Sequence, residues 1–317
     1  MAKTNPWGAL AATAGTLLAV GVLVLIMVVV EVHPAGATFP GKPGKIAYEG
    51  YDGQDYEIYS INPDGGGRVQ LTDNSTDDYE PCYSPSGTKI VYSGYDAPTN
   101  GDREIYTINS GGGGKKQLTD NSTDEYLPCY SPDGKKIAYS GYDAPTNGDE
   151  EIYTINSGGG GKKQLTDNST TDANPDYSPS GKKIAYWGYD GQGQDYEIYT
   201  INSGGGGKFN VTDNANDDYS PSYSPSGKKI AYHGYDAPTN GDREIYTINS
   251  GGGSKLQLTD NNTQDRRPYY SPSGKKIAYQ GQDVNDTEIY TINSGGGGKF
   301  NVTDNSRNDN TPSWGSK

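Results

Sequence analysis

Two histidines, two cysteines, two methionines and three phenylalanines are all that 317 residues contain of those types. Each scarcity removes a class of chemistry. With imidazole limited to His33 and His233, a Ser-His-Asp triad would have to use His233, and no G-x-S-x-G nucleophile turn occurs in the chain. Nucleophilic hydrolysis is therefore not expected. Cys82 and Cys129 are too few for a small disulfide framework. Positive charge is short as well: 26 Lys and Arg stand against 40 Asp and Glu, a formal net charge of −14. That balance argues against nucleic acid and against an anionic membrane surface as partner.

Long apolar runs are scarce too, with one exception. Residues 8 to 30 carry no charge, a length comparable to the ~20 residues that span a bilayer and above the ~7–15 of a signal-peptide core. Lys3 precedes the run and Ala35-Gly36-Ala37 follows it as a small-x-small cleavage pattern. Two readings stay open for residues 1–37, a cleaved signal peptide and a retained hydrophobic anchor helix. Both export the rest of the chain, to the periplasm, the exterior or the outer side of the cytoplasmic membrane. Membrane contact is expected only through residues 8–30, and residues 38–44 read as a linker. The remainder is polar and Gly-rich, and its 28 Tyr separate it from a disordered composition, since aromatic side chains supply large buried area.

What the sequence has in abundance is repetition. K-I-[AV]-Y ends at Tyr48, Tyr92, Tyr139, Tyr186, Tyr232 and Tyr279, 44 to 47 residues apart. E-I-Y-[ST]-I-N starts at Glu57, Glu104, Glu151, Glu197, Glu244 and Glu288, and [LV]-T-D-N at Leu71, Leu118, Leu165, Val211, Leu258 and Val302. Short β-branched and aromatic runs alternate with turn residues, which predicts four strands per unit. In the second unit these are strand A over 81–84, B over 89–92, C over 104–109 and D over 116–119. The pattern predicts an all-β, six-bladed propeller of four-stranded antiparallel blades over residues 45–317. The first unit lacks a strand A, and Thr311-Pro312-Ser313-Trp314 supplies a lone one at the other end. Pairing it with the strand that begins at Lys45 would close the ring and cover an edge.

Pro128-Cys129-Tyr130-Ser131-Pro132-Asp133-Gly134-Lys135-Lys136-Ile137-Ala138-Tyr139 resembles the TolB-like, WD-type propeller repeat. The resemblance runs over residues 45 to 314, with Tyr where that family has Trp or Phe and Ser for Asp in most of the turns. It implies the propeller fold. TolB itself carries a separate α/β domain before its propeller and acts in a periplasmic envelope complex, and no such domain fits between Ala37 and Lys45. Fold alone does not fix function.

Three groups of residues are candidates for function. A carboxylate stands three residues before each strand-A proline: Asp78, Glu125, Asp172, Asp218, Asp265 and Asp309. Placed in the D-to-A connections they would rim one channel mouth and favour a divalent cation such as Ca²⁺, or a basic peptide segment. A second acidic series, Asp55, Asp102, Asp149, Asp195, Asp242 and Asp286, closes the B-to-C loops on the same face, while Lys135, Lys182, Lys228, Lys275 and the lysines after the Gly runs would lie opposite. Turn chemistry accounts for the same Asp residues without a ligand. Cys82 and Cys129 hold equivalent strand-A positions, but a disulfide needs Cα atoms about 4.4–6.8 Å apart and neighbouring inner strands are expected to sit wider, so two buried free thiols are expected. His233 stands where other units have Ser93, Ser140, Trp187 and Gln280, and Asn-x-Ser/Thr sequons, among them Asn74 and Asn121, are by-products of the T-D-N string.

The function expected is a non-catalytic binding or scaffold propeller that engages protein or cell-envelope material, with no cofactor required. The alternatives are a Ca²⁺-dependent hydrolase or lyase acting at the channel, and a structural protein that stacks acidic face on basic face.

Overall fold

The computed structural model describes residues 40–95, 101–142, 148–189, 191, 195–235 and 241–317. The leader or anchor expected over residues 1–37 lies outside them. Among the described residues no helix is long and apolar enough to cross a membrane.

Six four-stranded antiparallel sheets form, five of them each from one continuous stretch of sequence. Blade 2 shows the pattern: strand A (Asp78–Tyr83), strand B (Lys89–Tyr95), strand C (Arg103–Asn109) and strand D (Lys116–Gln117). Strand A of blades 3 to 6 begins at Glu125, Asp172, Asp218 and Asp265. Blade 1 is closed by the far end of the chain: Asp309–Ser316 pairs with Pro43–Tyr51, setting Trp314 opposite Ile46 and Ser313 opposite Ala47. The strap predicted from the lone C-terminal Tyr-free strand is therefore present, and Trp314 is 2% exposed.

Blade packing explains the strand sequences. A strand covered on both faces needs no polar alternation, and in K-I-A-Y the Ile, Ala and Tyr are all buried, Ile137, Ala138 and Tyr139 among them. The Tyr of strand B stacks on the Tyr of strand C in every blade, ring centroids 5.6 to 5.8 Å apart. Arg68 or a lysine from the C-to-D loop caps each pair, its charge 4.1 to 4.5 Å from the strand-C ring. Such a cation over an aromatic face is stabilising. Strand D is two residues long everywhere, which limits the exposed edge.

Strand A differs from the sequence expectation. It begins three residues earlier, at the carboxylate, because the chain makes a β-bulge in front of the proline: in blade 2 the register shifts between Tyr79 and Cys82. The residue before each proline, Glu80, Leu127, Asn174, Ser220, Arg267 or Thr311, takes a left-handed φ of 46° to 58°. The bulge lets a proline, which has no N–H to donate, sit in an inner strand without ending it.

Candidate binding site at the channel mouth

Moving the six carboxylates from loop to strand changes what they can do. Asp78, Glu125, Asp172, Asp218, Asp265 and Asp309 are each 0% exposed, and none borders the axial cavity. Each is held inside its own repeat. The Asn of the T-D-N string donates its side-chain N–H to the carboxylate at 2.5 to 2.8 Å. The same Asn donates its backbone N–H to the Glu of E-I-Y at 2.5 to 2.7 Å, as Asn74 does to Glu57. A glycine of strand B makes the space: a Cβ on Gly234 would meet Asp218 Oδ1 at 2.1 Å, and one on Gly94 would meet Asp78 Oδ1 at 2.4 Å. The rim geometry expected from sequence is thus replaced by six separate clasps.

Burial dominates the electrostatics of these clasps. It pushes the Asp172 carboxyl up to about 6 and that of Asp218 up to about 7, against the opposing pull of Lys208 and Lys255. Lys162 reaches Glu125 at 3.2 Å and Lys208 reaches Asp172 at 3.8 Å. These lysines turn back toward the carboxylates, so the expected split into an acidic and a basic face does not hold for them. Asp55, Asp195 and Asp242 of the second acidic series are buried as well. Calcium requires about six to eight oxygens around one point. Among the described residues no three acidic, His or Cys side chains gather that way, so the residues present do not fit the cation. The sequons at Asn74, Asn121, Asn168 and Asn261 use their amide N–H on a buried carboxylate, which opposes glycosylation there.

The bulges build the channel instead. Their left-handed residues and the prolines behind them line an axial cavity of 60 Å³, with Cys82, Cys129, Asp176 and Tyr269 deeper in. That volume admits a few waters and nothing larger. Below the bulges, the residue after each proline reaches to a neighbour: Ser313 Oγ accepts from the Tyr83 N–H at 3.2 Å, Ser222 Oγ from Tyr270 at 3.3 Å, and Asp176 Oδ2 from Tyr223 at 2.6 Å. Cys82 and Cys129 are buried thiols, as expected. Their sulfurs nevertheless approach to 2.9 Å, closer than the expected strand separation allows, because the inner strands converge at the axis.

Around the mouth, the positions that vary from blade to blade come together. Strand A contributes Tyr79-Glu80, Tyr126-Leu127, Ala173-Asn174, Tyr219-Ser220, Arg266-Arg267 and Asn310-Thr311. Strand B adds Glu49, Ser93, Ser140, Trp187, His233 and Gln280, and the start of strand C adds Tyr56, Arg103, Glu150, Tyr196, Arg243 and Thr287. Part of this set is structural. Glu49 accepts from the bulge N–H of Glu80 at 2.9 Å, Ser140 from Asn174 at 2.9 Å, and His233 Nδ1 from Arg267 at 3.3 Å. His233, which stands where other units have Ser, Trp or Gln, thus holds the bulge of the next blade, and burial together with Arg243, Arg266 and Arg267 holds its pKa well below the usual range, in the neutral form. Glu49, Glu80 and Glu150 occupy one sector of the mouth and Arg243, Arg266 and Arg267 another, joined by the Arg267–Glu49 ion pair at 3.8 Å. The sequence signal for this site is the pair of unconserved letters between the fixed carboxylate and the fixed proline.

Residues 128–238 match the family described as TolB beta propeller domain. No curated protein matches the sequence. Among solved structures, TolB from Acinetobacter baumannii is similar with a TM-score of 0.72 and 22% identity, over 86% of this chain and 67% of that one. The putative TolB from Agrobacterium tumefaciens gives 0.62 and 21%, over 83% and 89%. An oligogalacturonate lyase in complex with manganese gives 0.58 and 15%, over 81% and 73%. At these identities the likeness is one of fold, and fold alone does not fix function. Residues 128–238, inside the six-bladed propeller, carry the match to the TolB beta propeller domain family, and the solved structures share the propeller's fold.

Proposed function

We propose that this chain is an exported, non-catalytic binding propeller that engages protein or cell-envelope material at the channel mouth where its A strands begin. Residues 1–37 would serve as signal peptide or anchor, 38–44 as linker and 45–317 as the binding body. One observation carries the reading. Duplication copies surface along with core, so identical residues at equivalent positions need no function, whereas the positions of strands A, B and C that diverge between blades come together around one opening. In this reading the six strand-A carboxylates act as clasps within blades and not as ligands.

Capture from envelope fractions with the full chain tests it. A variant with Tyr79→Lys and Asn310→Lys at the mouth should lose the captured material, and one with Lys182→Glu and Lys228→Glu on the opposite face should keep it. The reverse result would move binding to the other face and end this reading. Fractionation of cells that express the full chain with a C-terminal tag should find it outside the cytoplasm.

A further inference from the structure

One sector of the mouth departs from the rest in charge. Arg243 at the start of strand C in blade 5 has a counterpart in blade 2, Arg103, and both guanidiniums lie over a pair of tyrosines: Tyr79 and Tyr95 for Arg103, Tyr219 and Tyr235 for Arg243. The surroundings of Arg103 are acidic. Glu80 acts on its charge, and the Asp124 carboxylate accepts from its backbone N–H. Around Arg243 the equivalents are Ser220 and Gln264, and the neighbouring Tyr126-Leu127 is replaced by Arg266-Arg267. Two carboxylates are lost and two guanidiniums gained, in a chain whose net charge is −14.

These residues stand at a cleft of 200 Å³ lined from four blades and bordered by Trp187, Tyr219, His233, Arg243, Arg266 and Arg267, with Leu127 from the third blade. Arg267 is engaged by Glu49 and Thr311. Arg243 and Arg266 make no ion pair among the described residues, and the buried Nε of each lacks a hydrogen-bond partner. Arg266 is further crowded by Arg243 and Arg267. Trp187 packs edge-on against Tyr219, ring centroids 5.2 Å apart, and Tyr219 stacks on His233 at 5.5 Å. Arg266 donates one Nη2 hydrogen bond, to Gln264 Oε1 at 3.1 Å, and the two guanidiniums, without a carboxylate partner among the described residues, lie beside half-buried aromatic rings with a neutral imidazole behind, a site that is cationic at one end and apolar at the other.

We propose that this cleft binds a carboxylate carried on a six-membered ring, Arg243 and Arg266 holding the carboxylate and Trp187 with Tyr219 packing against the ring. The inference rests on the mouth-binding reading above and names a ligand class for one sector of it. A planar carboxylate matches the forked guanidinium in two parallel hydrogen bonds. An acidic sugar and an aromatic acid share that chemistry, and the test separates them.

Titration of the purified chain with glucuronate and with benzoate, followed by tryptophan fluorescence and by calorimetry, should give saturable binding of at least one acid. Whichever of the two binds identifies the source. Glucose and inorganic phosphate should bind far more weakly. Arg243→Gln and Arg266→Gln should each weaken the acid by roughly ten- to hundredfold, the range of a lost charged hydrogen bond. Lys182→Gln, on the opposite face of the propeller, should leave binding unchanged. No binding of either acid, equal binding of phosphate or glucose, or insensitivity to both arginine variants would overturn the proposal. Envelope capture that survives such a failure would leave the mouth reading standing, whereas capture lost only through Tyr79→Lys and Asn310→Lys would place the partner in the other sector.

Discussion

The sulfur atoms of Cys82 and Cys129, on the inner strands of neighbouring blades, lie 2.9 Å apart beside the propeller axis. Cys129 also points at Asp176 Oδ1 at 3.5 Å. The hydrogen bond with the Cys82 thiol, together with burial and the Asp176 carboxylate, raises the Cys129 pKa well above the ordinary thiol value, which keeps Cys129 protonated and slow to react. Treatment with excess oxidised glutathione should therefore close the bridge slowly, the pair losing two protons and two electrons as the reagent is reduced to two thiols. Intact mass should fall by two hydrogens and thiol titre should drop to zero. Retention of both thiols after transient unfolding in the same reagent would show that the two chains cannot meet as a bond.

Trp314→Ala should destabilise the ring strongly. The indole is 2% exposed and packs with Ile46, Tyr48 and Ile61 where the two ends of the chain share a blade. Deleting a core aromatic costs about 3–5 kcal/mol. Urea unfolding followed by tyrosine emission measures it, and a loss below about 1 kcal/mol would mean that the strap is not part of the core.

Gly234→Ala tests the clasps. Its methyl would sit 2.1 Å from Asp218 Oδ1, and overpacking of this kind costs about 1–3 kcal/mol. Adding Asp218→Ala removes the clashing oxygen, so the two changes together should cost less than their sum in a double-mutant cycle. Strict additivity would show that carboxylate and glycine do not meet.

Acidity should stabilise the protein over a defined window. Burial raises the carboxyls of Asp172 and Asp309 to about 6 and those of Glu151 and Asp218 to about 7, from ordinary values of 3.8 for Asp and 4.5 for Glu. A group whose folded value lies above its unfolded one contributes stability that is complete below the unfolded value and is lost as pH rises through the folded value. The thermal midpoint should accordingly climb as pH is lowered from about 8 to about 5. Asp52, held below its usual value by backbone N–H groups from Gln54 and Asp55, acts in the opposite direction only at lower pH. A midpoint flat or falling over that window would contradict the clasp electrostatics.

The repeat strings determined most of this architecture. K-I-A-Y, E-I-Y-T-I-N and T-D-N recur every 44 to 47 residues, and blade number and strand order follow from that spacing, because strands A to D of a unit pair locally in sequence; the lone strand A at residues 311–314 marks the Trp314 strap. Local pattern could not locate the bulge before Pro81 and its five counterparts. One extra residue in an inner strand reverses which way its neighbours point, so Asp78 turns into the blade toward Asn74 and Gly94, and Glu80 turns toward the axis. Tertiary structure alone also brought Cys82 to Cys129, 47 positions away, and set Trp187, Arg243 and Arg266 from three blades around one cleft. Those meetings depend on how closely the blades converge at the axis, a distance that packing between repeats sets and that no single repeat encodes.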